Sequence, residues 1–533
     1  MYRVKSIAGF FGAMLIYIGS VQAQELYYVF LKDKGLSDFD PQSWFDERAL
    51  ERRQVNGLPA FDSTDLPLKP AYVSQVRQVV DSLRYELRWL NAITVQATPE
   101  QIQGVSQLPF VREIEPFGAT LHLARVPELA TQARDKFDTL LSMQRTQMQL
   151  DTLEARGLTG KDVRIAIFDA GFKDANIHPA LAHVFENGQI VATRDFYGGG
   201  EDVYLHSRHG MQVMSCVAGM YGDRQLGCAK DAQFLLARIE HESKEKAIEE
   251  DHWIAAAEWA DKNGAQIINS SVTYTFKRYT YRDMNGRTAP VSRAAALAAK
   301  KGMLVVCAMG NDGEKNWQYM GAPADVPEVL SVGGSMPMLP IHIQFASIGP
   351  NAEKRRKPDV AAPAYVLAAL KNDDYDVSAG TSFSSPLIAG LAACMLQREP
   401  EITGQALFSR ICRLGHYYPY YDYYLGFGIP EAARLFHPDP PEAAPTFEVV
   451  HQGDSIILAF DPAFMAADSA LYPDGRVLYY HFETPNGYLN SYHFTLLPNR
   501  TRYHFFLRRP GVTGVLRIWF DGYLYEEEND IPR

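Results

Sequence analysis

Between about Leu150 and Phe436 the chain repeats one pattern: a short apolar run, a longer segment with helical spacing, then another apolar run. The runs "VRIAIFDAG", "AQFLLARIE", "AQIINSSV", "MLVVCAMGN" and "EVLSVGG" lack polar alternation, so they read as strands buried on both faces. Between them, "KAIEEDHWIAAAEWADKNG" and "SRAAALAAKKG" read as helices that stop at a glycine. Strands of this kind need helices on both faces, which predicts an α/β fold built on a parallel sheet. In such sheets the loops leaving the carboxyl ends of the strands hold the chemistry, so candidate functional residues belong there.

The rest of the 533 residues divides around this block. Residues 1–23, "MYRVKSIAGFFGAMLIYIGSVQA", place Arg3 and Lys5 before an apolar run and small residues at its end, the pattern of a cleavable export signal. The run is shorter than a bilayer span and no later stretch approaches one, so a secreted or periplasmic chain without a membrane span is expected. Residues 24–131 run strand, helix, strand, helix, strand, with Thr98 as a helix cap, and predict a small open-faced, ferredoxin-like α/β unit. A polar connector, "ATQARDKFDTLLSMQRTQMQ", leads to the central block at 150–436. Beyond the proline-rich "HPDPPEAAPT", residues 446–533 alternate apolar and polar positions between turn residues and predict an all-β, sandwich-like module. Loss of Arg3 and Lys5 with the signal takes the formal charge from −11 to −13, which argues against a nucleic-acid partner.

The strand ends offer four chemically distinct groups. Asp169 closes a buried strand; His209 starts a helix and is followed by Gly210; Asn311 follows Gly310 just past another buried strand. Ser382 lies between a glycine turn and an apolar helix, with Pro386 expected in that helix's first turn. A serine hydroxyl is a weak nucleophile until an imidazole takes its proton, and the imidazole needs a carboxylate to hold its tautomer. The start of a helix also offers backbone N–H groups to an oxyanion, and the Asn311 amide is placed to add a second donor.

At these residues the chain resembles the subtilisin-like serine proteases, the subtilase family. The matching pieces are Asp169 in "DAG", His209 in "HG" with "VAG" downstream, Asn311 in "GN", and Ser382 in "GTSFSSP". The resemblance implies Ser382 as nucleophile, His209 as base, Asp169 as orienting acid and Asn311 as oxyanion donor, on a subtilisin-like sheet. It also implies that Ser271, Val272 and Thr273 in "NSSVT" pair with a peptide substrate, with Gly310 beside them. Gly321 in "YMGAPAD" would form a pocket floor with room for a large apolar side chain, while Asp312 at the mouth offers a site for a basic one. The N-terminal block resembles the family's inhibitory prosegments, with cleavage expected between about Gly118 and Met148; a permanently attached accessory domain is the alternative. Met211 and the Ala308-Met309 pair depart from the family's commonest pattern without removing a catalytic group.

The resemblance therefore implies a secreted serine endopeptidase made as a zymogen, monomeric, acting on proteins or peptides and requiring no cofactor. Two other classes stay open on sequence alone: a catalytically silent binding protein on the same fold, and a serine esterase. "GTSFS" lacks the last glycine of the esterase nucleophile elbow. His206, three residues before His209, reads as a solvated loop residue rather than half of a metal pair. The carboxylates of residues 240 to 251 are spaced like a solvated helix face, with calcium binding as the alternative. Cys216 and Cys228, the one close pair among five cysteines, are either a disulfide or two buried thiols. The six tyrosines of "HYYPYYDYYLGFG" read as a packed connection, or else as a glycan or peptide surface.

Overall fold

The computed structural model describes residues 25–34, 38–117, 134–241, 247–275, 279–437, 444–453, 455–461, 465, 475–485, 489, 493–497, 503–508 and 513–529. The expected signal, residues 118–133 of the expected cleavage region and the central part of the proline-rich linker lie outside these residues.

The central block is a seven-stranded sheet in the order Val360–Pro363, Leu330–Ser335, Leu304–Ala308, Ile267–Ser270, Arg164–Asp169, Gln233–Arg238, Ile190–Asp195. Every neighbouring pair in it runs parallel. The five strands read from the sequence are all present. Two edge strands, Ile190–Asp195 and Val360–Pro363, were not foreseen, because an edge strand needs only one apolar face and the other is very short. Helices His209–Ala218 and Thr381–Arg398 cover one face; Glu249–Lys262 and Pro290–Lys300 cover the other. Sixteen consecutive residues of Thr381–Arg398, from Thr381 to Leu396, are buried, so this helix runs through the interior rather than along a surface.

The N-terminal block is a four-stranded antiparallel sheet in the order Ser82–Leu87, Ala92–Ala97, Glu25–Leu31, Val111–Pro116. Helices Pro70–Val79 and Pro99–Ser106 cover one face, the second closed by a capping box from Thr98 to Gln101. The other face lies on the central block: Tyr28, Phe30, Leu87 and Trp89 share one core with Trp253, Ile254, Val291 and Ala295. A helix missed by the periodicity argument, Glu47–Val55, brings Arg52 and Arg53 to the same junction. Its mean character is polar because its inward residues are arginines, and they are buried against Asp261.

The connector is not a loose tether. Arg134–Gln147 is a helix fixed to the central block, with Gln144 donating to the Leu226 carbonyl at 2.6 Å and Arg145 donating to those of Gln225 and Gly227 at 2.9 and 2.7 Å. The C-terminal module has a three-stranded and a four-stranded antiparallel sheet around a shared apolar core. The tyrosine-rich stretch is the joint: Tyr417 and Tyr420 are buried with Tyr479 and Trp519 of the module in the central block's own core. Among the described residues no helix is long and apolar enough to cross a membrane.

Candidate active site

Asp169 ends its strand with its carboxylate wholly buried. Oδ1 accepts the Ala170 N–H at 2.8 Å and lies 2.9 Å from His209 Nδ1; Oδ2 lies 3.0 Å from the same nitrogen. A carboxylate there holds the proton on Nδ1, so the neutral ring carries its lone pair on Nε2, as a general base requires. Gly210 makes this approach feasible. Its N–H donates to the Gly171 carbonyl at 2.9 Å, and a β-carbon at this position would sit 2.5 Å from that same oxygen.

Ser382 is the second residue of its helix and 9% exposed. Gly380 precedes the helix at φ +144°, a conformation that a side chain would strain. The Ser382 hydroxyl donates to the Ser271 carbonyl at 3.2 Å, and Phe383 places its ring 5.5 Å from that of His209. Pro386 falls in the second turn, not the first as expected, because the helix already begins at Thr381. A proline four residues on cannot donate to the Ser382 carbonyl, which instead accepts the Ser271 hydroxyl at 2.8 Å. That bond ties the serine's backbone to the segment expected to hold substrate. Ser385 extends the network by donating to Asn269 Oδ1 at 2.7 Å, and the Asn269 amide donates to Ser271 Oγ at 3.2 Å.

Asn311 is fixed through its oxygen. Oδ1 accepts the Thr381 N–H at 2.9 Å and the Thr381 hydroxyl at 3.1 Å, which commits Nδ2 as the outward donor beside Ser382. Thr381 also spans Gly310, accepting its N–H at 3.2 Å. Neither Thr381 nor Arg238 was singled out from the sequence. Arg238 is a buried arginine in the apolar run "FLLARIE"; it donates to the Ala170 carbonyl at 3.0 Å and to Asp195 at 2.7 Å. It thereby braces Ala170, the residue whose N–H holds Asp169. Its signal was a lone charge inside a strand buried on both faces.

The remaining candidates separate clearly. Ser271 bonds Ser382 directly; Gly310 and Gly321 both abut Thr273, Val272 belongs to an apolar core, and Tyr274 and Ala322 exchange backbone hydrogen bonds at 2.7 and 3.0 Å. A β-carbon built on Gly321 would meet Thr273 Cβ and Thr275 Cγ2, each at 2.9 Å. Asp312 is paired with Lys315 at 2.7 Å. His206, with its side chain 45% exposed, stands 3.9 Å from Asp195.

The expectation of a solvated carboxylate face at residues 240 to 251 fails at its last three carboxylates, while residues 242–246 lie outside the described residues. Glu249, Glu250 and Asp251 are all fully buried in the first turn of their helix, favoured there by the helix dipole. Glu249 accepts the His241 N–H at 3.0 Å, Glu250 accepts the Tyr279 hydroxyl at 2.9 Å, and Asp251 pairs with Arg84 of the N-terminal block at 3.1 Å. Among the described residues no three His, Cys, Asp or Glu side chains group so as to hold a metal ion. Cys216 and Cys228 are free and buried; the Cys394 thiol lies 3.3 Å from the Cys228 carbonyl.

A parallel α/β sheet thus carries an aspartate paired with a histidine, together with a serine and an asparagine, at its strand and helix ends. Residues 160–413 match the subtilase family, and residues 26–134 match the peptidase S8 propeptide domain of Bacteroidota. The chain belongs to the subtilase family and is a subtilisin-like serine endopeptidase. It is 24% identical over 359 residues to the M-protease of Shouchella clausii (strain KSM-K16), covering 67% of this chain and 81% of that one. It is 27% identical over 267 residues to subtilisin DY of Bacillus licheniformis, covering 50% and 87%. Among solved structures, MycP1 from the ESX-1 type VII secretion system aligns at a TM-score of 0.44 and 22% identity, over 57% of this chain and 88% of that one.

Proposed function

We propose that this protease is exported and made as a zymogen, with Ser382 as nucleophile, His209 as general base, Asp169 as the orienting carboxylate and Asn311 as an oxyanion donor. In the reaction Ser382 Oγ attacks the peptide carbonyl as His209 Nε2 takes its proton. The oxyanion is held by Asn311 Nδ2 and the backbone N–H at the start of the Ser382 helix. His209 then protonates the leaving amine, giving an acyl-enzyme, and activates water to hydrolyse it. The observation that carries this reading is the pairing of a buried Asp169 with His209 Nδ1 at 2.9 and 3.0 Å, at the same end of the sheet as a serine that starts a helix.

The N-terminal block acts as an inhibitory prosegment in this reading, and cleavage falls before the helix Arg134–Gln147. Support comes from the match of residues 26–134 to a propeptide domain and from the way Gln144 and Arg145 bind that helix to the catalytic block. The test is intact-mass analysis of the purified chain beside Ser382→Ala, followed over hours. The wild type is expected to release an N-terminal fragment on the order of 12 kDa and to react with a serine-directed phosphonate, while the alanine protein does neither. Processing and labelling that persist in Ser382→Ala would overturn the assignment.

A further inference from the structure

We propose that Thr273 limits the residue on the acyl side of the scissile bond to small side chains, so that the substrates are peptides cut after residues such as alanine or serine. The proposal rests on the reading of Ser382 and Asn311 given above. With the attacked carbon at Ser382 Oγ and its oxygen at the Asn311 amide, the adjoining side chain runs into the space between the Ser271–Thr273 segment and Gly310. Ser271 borders that space directly, its carbonyl 3.2 Å from Ser382 Oγ.

Two glycines face this space, yet it is not open. A β-carbon on Gly310 would meet Ser347 Oγ at 3.0 Å and Thr273 Oγ1 at 3.3 Å. One on Gly321 would meet Thr273 Cβ and Thr275 Cγ2, each at 2.9 Å. Separations this short leave no room for a further methyl group. Thr273 therefore spans the gap between the two glycines and occupies the volume that their missing side chains would leave.

The obstruction cannot easily retreat. A β-branched side chain has few χ1 alternatives. The backbone on its far side is held by the paired hydrogen bonds of Tyr274 and Ala322, and the buried Tyr274 hydroxyl donates to the Glu249 carbonyl at 3.2 Å. Nor does Asp312 give the site a preference for a basic side chain, since Lys315 already neutralises it.

The test uses enzyme matured from the full chain and a set of peptides that differ only in the residue before the cut: Ala, Ser, Leu, Phe and Arg. The wild type is expected to show kcat/KM for Ala and Ser at least about tenfold above Leu, Phe and Arg, the scale at which pocket size discriminates. Thr273→Gly should raise the Phe-to-Ala ratio by about tenfold or more. Thr273→Ala, which keeps a β-carbon and so is gentler on the fold, should move the ratio the same way. A wild type that cleaves after Leu or Phe as fast as after Ala overturns the proposal, as does an unchanged ratio in either folded variant. Ser382→Ala separates the two levels: a dead alanine enzyme beside an unselective wild type sinks the Thr273 proposal alone, whereas an active one overturns the reading of the site itself.

Discussion

At the scale of single residues, the site is arranged around bonds that are withheld as much as around bonds that are made. Pro386 deprives the Ser382 carbonyl of its helical donor, and the Ser271 hydroxyl takes the vacancy at 2.8 Å. Pro386→Ala would restore a competing N–H and loosen this tie; kcat is expected to fall several-fold with stability unchanged or raised, as parallel kinetics and thermal melts would report. Removing the amide that Thr381 aims, in Asn311→Ala, is expected to lower kcat by about 10²–10³-fold with little change in KM. Equal losses from kcat and from substrate affinity would argue that Asn311 packs rather than donates. The proposed catalytic groups were legible because a nucleophile, a base and their helix-start glycines sit in short local motifs. Thr381 and Arg238 were not, because each acts through a hydrogen bond to a segment distant in sequence.

At the scale of elements, the junction between the N-terminal block and the catalytic helices is the unusual feature. Arg52 and Arg53 converge on Asp261, while Asp65 joins Arg53 to Lys301 at 3.4 and 2.8 Å, all of these groups being buried. Asp261→Ala would leave two buried guanidinium groups short of their counter-charge and is expected to weaken the docked state by about 3–5 kcal/mol, seen as earlier release of the block in urea. A second contact depends on pH. His252 Nδ1 donates to the Ile239 carbonyl at 2.8 Å, so Nε2 is the acceptor for the Arg84 guanidinium at 2.9 Å. Burial lowers the His252 pKa from its ordinary 6.5 against the opposing pull of Asp251; Asp195 and the rings of Tyr85 and Tyr197 complete its surroundings. With the docked pKa depressed, this stabilisation is present above 6.5 and is lost as pH falls through the docked value. Glu258 works in the opposite sense: burial pushes its carboxyl up from 4.5 to about 7 against the lowering pull of the Trp89 N–H, a contribution to docking that is full below 4.5 and lost as pH rises through 7. In the Ser382→Ala chain, hydrogen-exchange protection of residues 82–89 is therefore expected to fall more steeply between pH 7 and pH 5 with His252 than with His252→Gln. The helix that carries the two arginines escaped a reading based on apolar periodicity, since its buried face is charged.

At the scale of the whole molecule, three bodies share cores rather than hang from linkers. The C-terminal module places Tyr479 and Trp519 among the catalytic block's own apolar residues, and His416 meets both edge to face. Trp519→Ala is expected to destabilise the catalytic block and module together by about 3–5 kcal/mol, giving one cooperative melt at lower temperature; two separate melts would mean the joint is superficial. The order of the three bodies was legible from where alternation changed period. Of their contacts only the tyrosine-rich stretch was legible, as a packed connection; the polar connector looks like a loop until its partners are known. The buried ionic cluster at the first junction has a last consequence. While the chain is whole, tethering keeps both sides at high effective concentration, and the arginines stay dehydrated against Asp261. Once a cut separates them, each charge regains its own water, and rejoining from dilute solution must strip it away again. If the block is cut away as proposed, the junction acts as a ratchet: secure during synthesis, and after severance a passage in one direction.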